Sequence, residues 1–144
     1  MLGVEQQLKE AYVQSGRVRM VFNPVLNHGD RSYVTHQGAE CAGEQNSFWD
    51  FREFLYAQQD RLWTGDVRAT VKELAVEAGL DAAAFNRCLD EQRYYDRVDQ
   101  QDALRRANGI RSQPSFAING DIRVGPAPFE AFAQVLDEKL AAAQ

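Results

Sequence analysis

The chain of 144 residues is close to the usual size of one domain, and 44% of it is apolar, which is enough for a hydrophobic core. Its net charge of −5, with lysine and arginine scattered rather than clustered, argues against nucleic-acid binding. No apolar run approaches the roughly 20 residues that a membrane span needs. The first residues have neither the basic start nor the apolar stretch of a signal peptide, so no export signal is expected.

The N-terminal part of the chain predicts a helix, a strand and a loop. Apolar residues at helical spacing predict an amphipathic helix over residues 2–14. The alternating run RVRMVF, residues 17–22, predicts a strand. Residues 24–35 are rich in Asn, Gly and Asp, and they are expected to form a loop.

The middle of the chain is predicted to be entirely helical. A short helix is expected over residues 36–44, and Ser47 caps the next one, with Asp50 three residues later as an approximate capping box. Three further helices follow, beginning at Thr64–Asp66, at Asp81 and at Tyr94, and the last of them ends at Asn108-Gly109.

The C-terminal part predicts a hairpin and a final helix. The segments SFAI and DIRV flank Asn119-Gly120, the strongest short-range signal for a hairpin with a type I′ turn. After Pro128, apolar residues recur on one helical face. The whole order predicts an α/β or α+β domain whose helical stretch connects the first strand to the hairpin as a parallel crossover.

Few residues are candidates for chemistry. Cys41 and Cys88 are far apart, with no CxxC, and His28 and His36 do not join them at zinc-ligand spacing. We therefore predict no metal site and no cofactor. No Ser-His-Asp arrangement is legible, so no catalytic residue is assigned.

The segment NGIRSQPSFAING, in which a proline introduces a strand that an Asn-Gly turn closes, resembles the cis-proline loop of thioredoxin-fold proteins. Four other segments extend the likeness to the DsbA-like thiol-disulfide oxidoreductases, in that family's order: VEQQLKEAYVQSGRVRMVF, AECAGEQNSFWDF, LAVEAGLDAAAFNRCLDEQRY and VGPAPFEAFAQVL. The resemblance implies an α/β, thioredoxin-like (DsbA-like) fold. It also implies a single domain over residues 1–144, with a helical insertion over about 36–108.

The same resemblance assigns a role to Gln113 and Pro114. In the family, the proline at this position is cis, and the backbone before it pairs with an extended substrate peptide. Gln113 and Pro114 would thus form one wall of a groove for an extended polypeptide or protein client. From the residues alone, Pro114 could equally start an edge strand in trans.

Relative to the family pattern, the chain lacks the N-terminal strand and the CxxC, as in an N-terminally truncated member. That strand lies between the strands expected here at residues 17–22 and 115–118. Three outcomes are open. The two strands close on each other, a strand from another copy fills the gap in a homodimer, or the protein is longer than this sequence.

Cys41 and Cys88 match positions where many DsbA-like sequences carry a cysteine on the helical insertion. They are a structural disulfide, two buried free thiols or, least in keeping with their apolar neighbours, a redox-active pair. A disulfide closing a loop of about 48 residues would stabilise the domain by roughly 4 kcal/mol. It would also imply an oxidising compartment, and the family resemblance suggests a periplasmic or extracytoplasmic one, in tension with the missing signal peptide.

Three functions remain open at this point. The chain is the body of a disulfide oxidoreductase without its N-terminal catalytic segment, or it is a redox-inactive domain that binds peptides or a partner. A third reaction on the same scaffold, as in DsbA-like glutathione transferases, has no supporting residue. Exchange by a CxxC of these 144 residues is excluded by composition.

Overall fold

The computed structural model describes residues 2–143, and its backbone divides into two compact units. The first unit combines the two ends of the chain, up to Phe22 and from Gly109 onward. The second is Asn23–Asn108, which contains the predicted helical insertion but begins before residue 36. That residues 1–144 act as a single domain stays a prediction.

The first unit contains the predicted hairpin. Strands β1 (Ser115–Ile118) and β2 (Asp121–Val124) pair antiparallel, with Ile118 opposite Asp121 beside the turn. Asn119 and Gly120 have φ values of 48° and 93°, and a type I′ turn requires positive φ at both positions. The hairpin prediction is confirmed.

Two helices pack on one face of this hairpin. Helix α1 (Leu2–Leu8) continues as a π-helix (Lys9–Val13), and α8 (Phe129–Ala142) ends the described chain. Phe116 of β1 meets Phe132 of α8 edge to face, with ring centroids 4.6 Å apart. The apolar stripe on each helix therefore builds a small core against the inward side chains of β1.

The strand predicted over residues 17–22 is wrong. The segment has no regular secondary structure, and the sheet in the described residues consists of β1 and β2 alone. A period-two pattern specifies which side chains share a face, but a strand forms only when its backbone groups find a partner. The predicted parallel crossover is therefore not formed within the described part of the chain, and residues 17–22 do not close on 115–118.

The regular elements of the second unit are all helices: α2 (Asp30–Gly43), α3 (Phe48–Ala57), α4 (Gln59–Leu62), α5 (Val67–Glu77), α6 (Ala82–Asp90) and α7 (Tyr95–Ala107). Helix α2 is central and contacts α3, α5, α6 and α7. Gly38 lets α2 pack closely on α5, since a Cβ there would lie 2.8 Å from Cγ1 of Val71 on α5.

The ends of these helices agree only in part with prediction. Asp81, predicted as a cap, accepts a hydrogen bond from the Ala84 N–H, so that prediction is confirmed. The helix predicted to begin at Thr64–Asp66 begins after Asp66, which accepts from the N–H groups of Arg68 and Ala69. The capping box at Ser47 is wrong, because its hydroxyl donates backward to the Gln45 carbonyl at 3.3 Å.

The start of α2 also differs from prediction. The helix predicted over 36–44 begins at Asp30, inside the expected loop. Gly29 turns the chain with φ of 56°, and its carbonyl accepts a hydrogen bond from Tyr33, which closes the first helical turn. The Asn-, Gly- and Asp-rich composition therefore marked a turn and a helix start rather than a longer loop.

The core of this unit lies between α2, α3, α5 and α6. Phe51 and Phe85 meet edge to face at 5.3 Å between ring centroids, and Val71 and Leu74 are fully buried beside them. No helix among residues 2–143 is long and apolar enough to span a membrane.

Candidate functional site

The predicted Gln113–Pro114 loop leads directly into β1. Gln113 is exposed, Pro114 is half-buried, and the peptide bond between them is cis. The Gly125 N–H donates to the Pro114 carbonyl at 2.8 Å, and the Ser115 hydroxyl donates to the Ser112 carbonyl at 2.7 Å. The loop is therefore fixed from both sides, while the Gln113 side chain is exposed.

One edge of β1 has no strand beside it among the described residues. In a hairpin with a two-residue turn, the pair next to the turn exchanges backbone hydrogen bonds, and such pairs alternate along the strands. Here those pairs are Ile118 with Asp121 and Phe116 with Arg123, and the Gly125-to-Pro114 hydrogen bond continues the alternation. The N–H and C=O groups of Ser115 and Ala117 therefore point away from β2.

The outward face of the hairpin is apolar on β2. Ile122 and Val124 are 45% and 66% exposed, opposite Ala117 and Ser115 across the ladder. At the turn, Asp121 accepts a hydrogen bond from Lys139 of α8, which lowers the pKa of its carboxyl group and ties the hairpin to the helix. The site thus offers unpaired backbone groups and apolar surface on a fixed scaffold, and Gln113 and Pro114 as a client-binding pair stay a prediction.

Cys41 and Cys88 form a disulfide between α2 and α6. They are 1% and 0% exposed, and Oε1 of Glu44 lies 3.9 Å from the Cys88 sulfur. Redox-active cysteines lie in exposed, electropositive surroundings, whereas this pair is buried beside a carboxylate. Of the three interpretations open from sequence, the arrangement is that of a structural bridge.

The two histidines lie in different elements, His28 against the Trp63 ring at 4.9 Å between centroids and His36 on α2. The pKa of His36 is lowered to about 4, chiefly by desolvation and also by the charge of Arg52, against a hydrogen bond to the backbone of Val25. The imidazole is therefore neutral at pH 7. Within residues 2–143, no group of three or more His, Cys, Asp or Glu side chains is placed to hold a metal ion.

The second unit has a cavity that Gln37 helps to line, and the sequence did not predict it. Its walls come from three separate segments, so no local motif announces it. The available signal was a polar residue within the buried stripe of α2, since Gln37 lies between Val34 and Cys41 at helical spacing and is 2% exposed.

Comparison with known proteins finds similarity over nearly the whole chain. A family model described as Thioredoxin matches residues 2–138. The chain is 27% identical over 142 residues to the Na(+)/H(+) antiporter NhaA 3 of Salinispora tropica, a match that covers 97% of this chain and 21% of that protein. It is 28% identical over 95 residues to the Na(+)/H(+) antiporter NhaA of Herminiimonas arsenicoxydans, covering 66% of this chain and 15% of that protein.

A third relative is named for disulfide bond formation. The chain is 20% identical over 144 residues to the Disulfide bond formation protein D of Bacillus subtilis, covering 93% of this chain and 62% of that protein. The chain thus spans about a fifth or less of the two antiporters and under two thirds of the third relative.

Proposed function

The chain belongs to the thioredoxin family, and from this we propose that it binds extended polypeptides along the free edge of β1, as the client-binding body of a thiol-disulfide oxidoreductase. The observation that carries the proposal is the unpaired edge that begins one residue after Pro114. The likeness to a disulfide bond formation protein supports the oxidoreductase part.

Strand addition explains how this edge recognises a client. An extended peptide laid antiparallel to β1 accepts and donates hydrogen bonds with the outward backbone groups of Ser115 and Ala117. These bonds do not depend on the client's sequence. Apolar client side chains gain further free energy by covering Ile122 and Val124.

The exchange chemistry itself needs thiols that these residues do not supply. Disulfide exchange begins with attack by a thiolate, and both cysteines of the chain are in the buried Cys41–Cys88 disulfide. The proposal therefore assigns client binding to residues 1–144 and the reactive thiol pair to a segment outside them. The 144-residue polypeptide alone is expected not to reduce insulin disulfides, and turnover comparable to an oxidoreductase would contradict this assignment.

A pair of proline variants tests the binding edge. Ala117→Pro removes an outward N–H on the free edge of β1, and Ile122→Pro removes the matching outward N–H on β2. Neither change removes a bond of the ladder. We expect Ala117→Pro to weaken binding of S-carboxymethylated insulin B chain at least tenfold, measured by fluorescence anisotropy. Ile122→Pro, which loses only the apolar contact of one side chain, is expected to weaken binding far less than Ala117→Pro.

The same pair of variants can also contradict the proposed binding edge. If both proline variants bind the B chain as the unaltered protein does, the edge of β1 is not the client site. Circular dichroism and the hairpin's amide NMR signals establish that each variant is folded. A homodimer that forms by strand addition at this edge is a further prediction, and Ala117→Pro would then sediment as a monomer.

A second candidate function is a redox-inactive domain that binds a partner. Two relatives named as antiporters favour it. The matched segment makes up about a fifth or less of each of them, so in those relatives it is a small part of a protein named for another activity. The intact mass of the protein from its native source separates the candidates. A species heavier than these 144 residues that carries a CxxC supports the oxidoreductase, whereas a species without one supports the partner-binding domain.

A further inference from the structure

The Cys41–Cys88 bridge has a carboxylate beside it. Glu44 follows Cys41 by three residues at the end of α2, a spacing that places the two side chains on the same side of the helix. The Oε1 atom of Glu44 lies 3.9 Å from the Cys88 sulfur. Both cysteines belong to the apolar core of the second unit, whereas the Glu44 side chain is 31% exposed, so this carboxylate reaches from the surface to the bridge.

Hydrogen bonds keep this carboxylate ionised. Arg93 donates to both oxygens of Glu44, at 2.8 and 2.7 Å, and the Tyr94 hydroxyl donates to Oε1 at 3.0 Å. The hydrogen bond from Arg93 is the largest influence on the pKa of the Glu44 carboxyl, and with the bond from Tyr94 it lowers that pKa against the opposing effect of burial. Glu44 is therefore negatively charged at neutral pH.

The positive charge of Arg93 is shared between two carboxylates. Arg93 also donates to Glu91 at 2.8 Å, so these three side chains carry two negative charges and one positive charge. The turn after α6 brings them to the bridge, because Gln92 has φ of 51° and the Arg93 N–H donates back to the Cys88 carbonyl at 3.2 Å. The bridge therefore lies beside a group of charges whose sum is negative.

Thiol–disulfide exchange would bring a further negative charge to this place. A thiolate that attacks the Cys41 sulfur expels Cys88 as a thiolate beside Glu44. A thiolate that attacks the Cys88 sulfur must itself approach Glu44. Either route brings like charges together in a partly buried setting, where water and salt screen them less than at an open surface.

We propose that Glu44 protects the Cys41–Cys88 bridge from thiol–disulfide exchange, and that the reactants it keeps away are small thiols and the cysteines of other proteins. The protection keeps the structural bridge oxidised in surroundings where other thiols are exchanging. It is a property of the second unit alone, so it holds whether or not the edge of β1 binds clients.

The test is the rate at which dithiothreitol reduces the bridge in the folded protein. The reagent is oxidised to its cyclic disulfide and the bridge is reduced to two thiols, so two electrons and two protons pass to the protein. Alkylation with N-ethylmaleimide followed by mass spectrometry follows the reaction with time. We expect Glu44→Gln to be reduced roughly fivefold faster or more, because the negative charge beside the sulfur is gone and the positive charge of Arg93 remains.

A second variant separates the effect of charge from a loosening of the structure. Glu44→Gln and Arg93→Gln break the same ion pair, so a pair that only holds the fold together would make both variants react faster. We expect Arg93→Gln instead to be reduced more slowly than the unaltered protein, because Glu44 then has no cation beside it. Glu91→Gln breaks the other ion pair of Arg93 and is the control, with a rate within about twofold of the unaltered protein.

Three results would overturn the proposal. They are equal rates for Glu44→Gln and the unaltered protein, faster reduction of Arg93→Gln, and rates that do not depend on the dithiothreitol concentration. The last result would mean that opening of the fold, rather than attack on the sulfur, limits reduction. Circular dichroism at the temperature of the assay establishes that each oxidised variant is folded.

Discussion

At the scale of single residues, Gly38 shows how closely α2 and α5 pack. A Cβ at this position would lie 2.8 Å from Val71 Cγ1 and 3.6 Å from the rings of Phe51 and Phe85, all of them buried. Gly38→Ala is therefore expected to lower the free energy of unfolding by about 1–2 kcal/mol, since overpacking outweighs the gain in helix propensity.

A glycine in the same helix is the matched control for Gly38. A Cβ at Gly43 would meet Phe48 at an ordinary 3.5 Å, so Gly43→Ala should be neutral or slightly stabilising. Urea unfolding measures both changes. If Val71→Ala does not reduce the cost of Gly38→Ala, the close contact is not its cause.

Asp102 is a buried carboxylate that holds the loop before α2. Burial by itself raises its pKa, but hydrogen bonds from Arg105, from the Leu26 N–H and from Arg106 outweigh that effect and lower the pKa. Because the folded-state pKa lies below the unfolded value of about 3.9, the stabilisation is fully present at neutral pH. It is lost as the pH falls below about 4 and through the folded pKa.

Asp102→Asn should therefore lower the free energy of unfolding by about 2–4 kcal/mol at pH 7, because it leaves two guanidinium groups without their carboxylate. The difference from the unaltered protein should shrink as the pH falls below 4. Denaturant unfolding across pH measures it, with Asp96→Asn on the exposed side of α7 as control. A difference that does not vary with pH would contradict this account.

At the scale of secondary-structure elements, two helix starts that look alike in sequence differ in structure. Asp81 accepts the Ala84 N–H at 3.0 Å, whereas the Ser47 side chain makes no capping bond to α3. Asp81→Ala is expected to lower the free energy of unfolding by about 1 kcal/mol and Ser47→Ala by a few tenths at most. Comparable losses in thermal denaturation experiments would show that the hydroxyl caps α3 in solution.

The sequence predicted those elements whose signals are local. The hairpin depends on Asn119-Gly120 and its two flanking runs, and its strand bounds agree with the structure residue for residue. Residues 17–22 have an equally regular pattern but no strand partner among the described residues, so the prediction failed there. The Gln37 cavity was not predictable because its walls are brought together only by the packing of α2, α5 and α7.

At the scale of the whole molecule, the Cys41–Cys88 disulfide links residues 47 apart in sequence. Cross-linking a loop of this length removes conformational freedom from the unfolded chain, which corresponds to roughly 4 kcal/mol. A variant that carries both Cys41→Ala and Cys88→Ala is expected to unfold at a clearly lower guanidinium chloride concentration. Equal midpoints would mean that the bridge does not constrain the unfolded chain.

The same bridge determines what happens when the chain is cut within the loop it closes. Trp63–Asp66 is an exposed connection between α4 and α5, inside the segment that the two cysteines enclose. A single proteolytic cut there leaves two fragments, each holding one sulfur of the disulfide. The nicked protein therefore migrates as one species on a non-reducing gel and separates into two bands once a reductant is added.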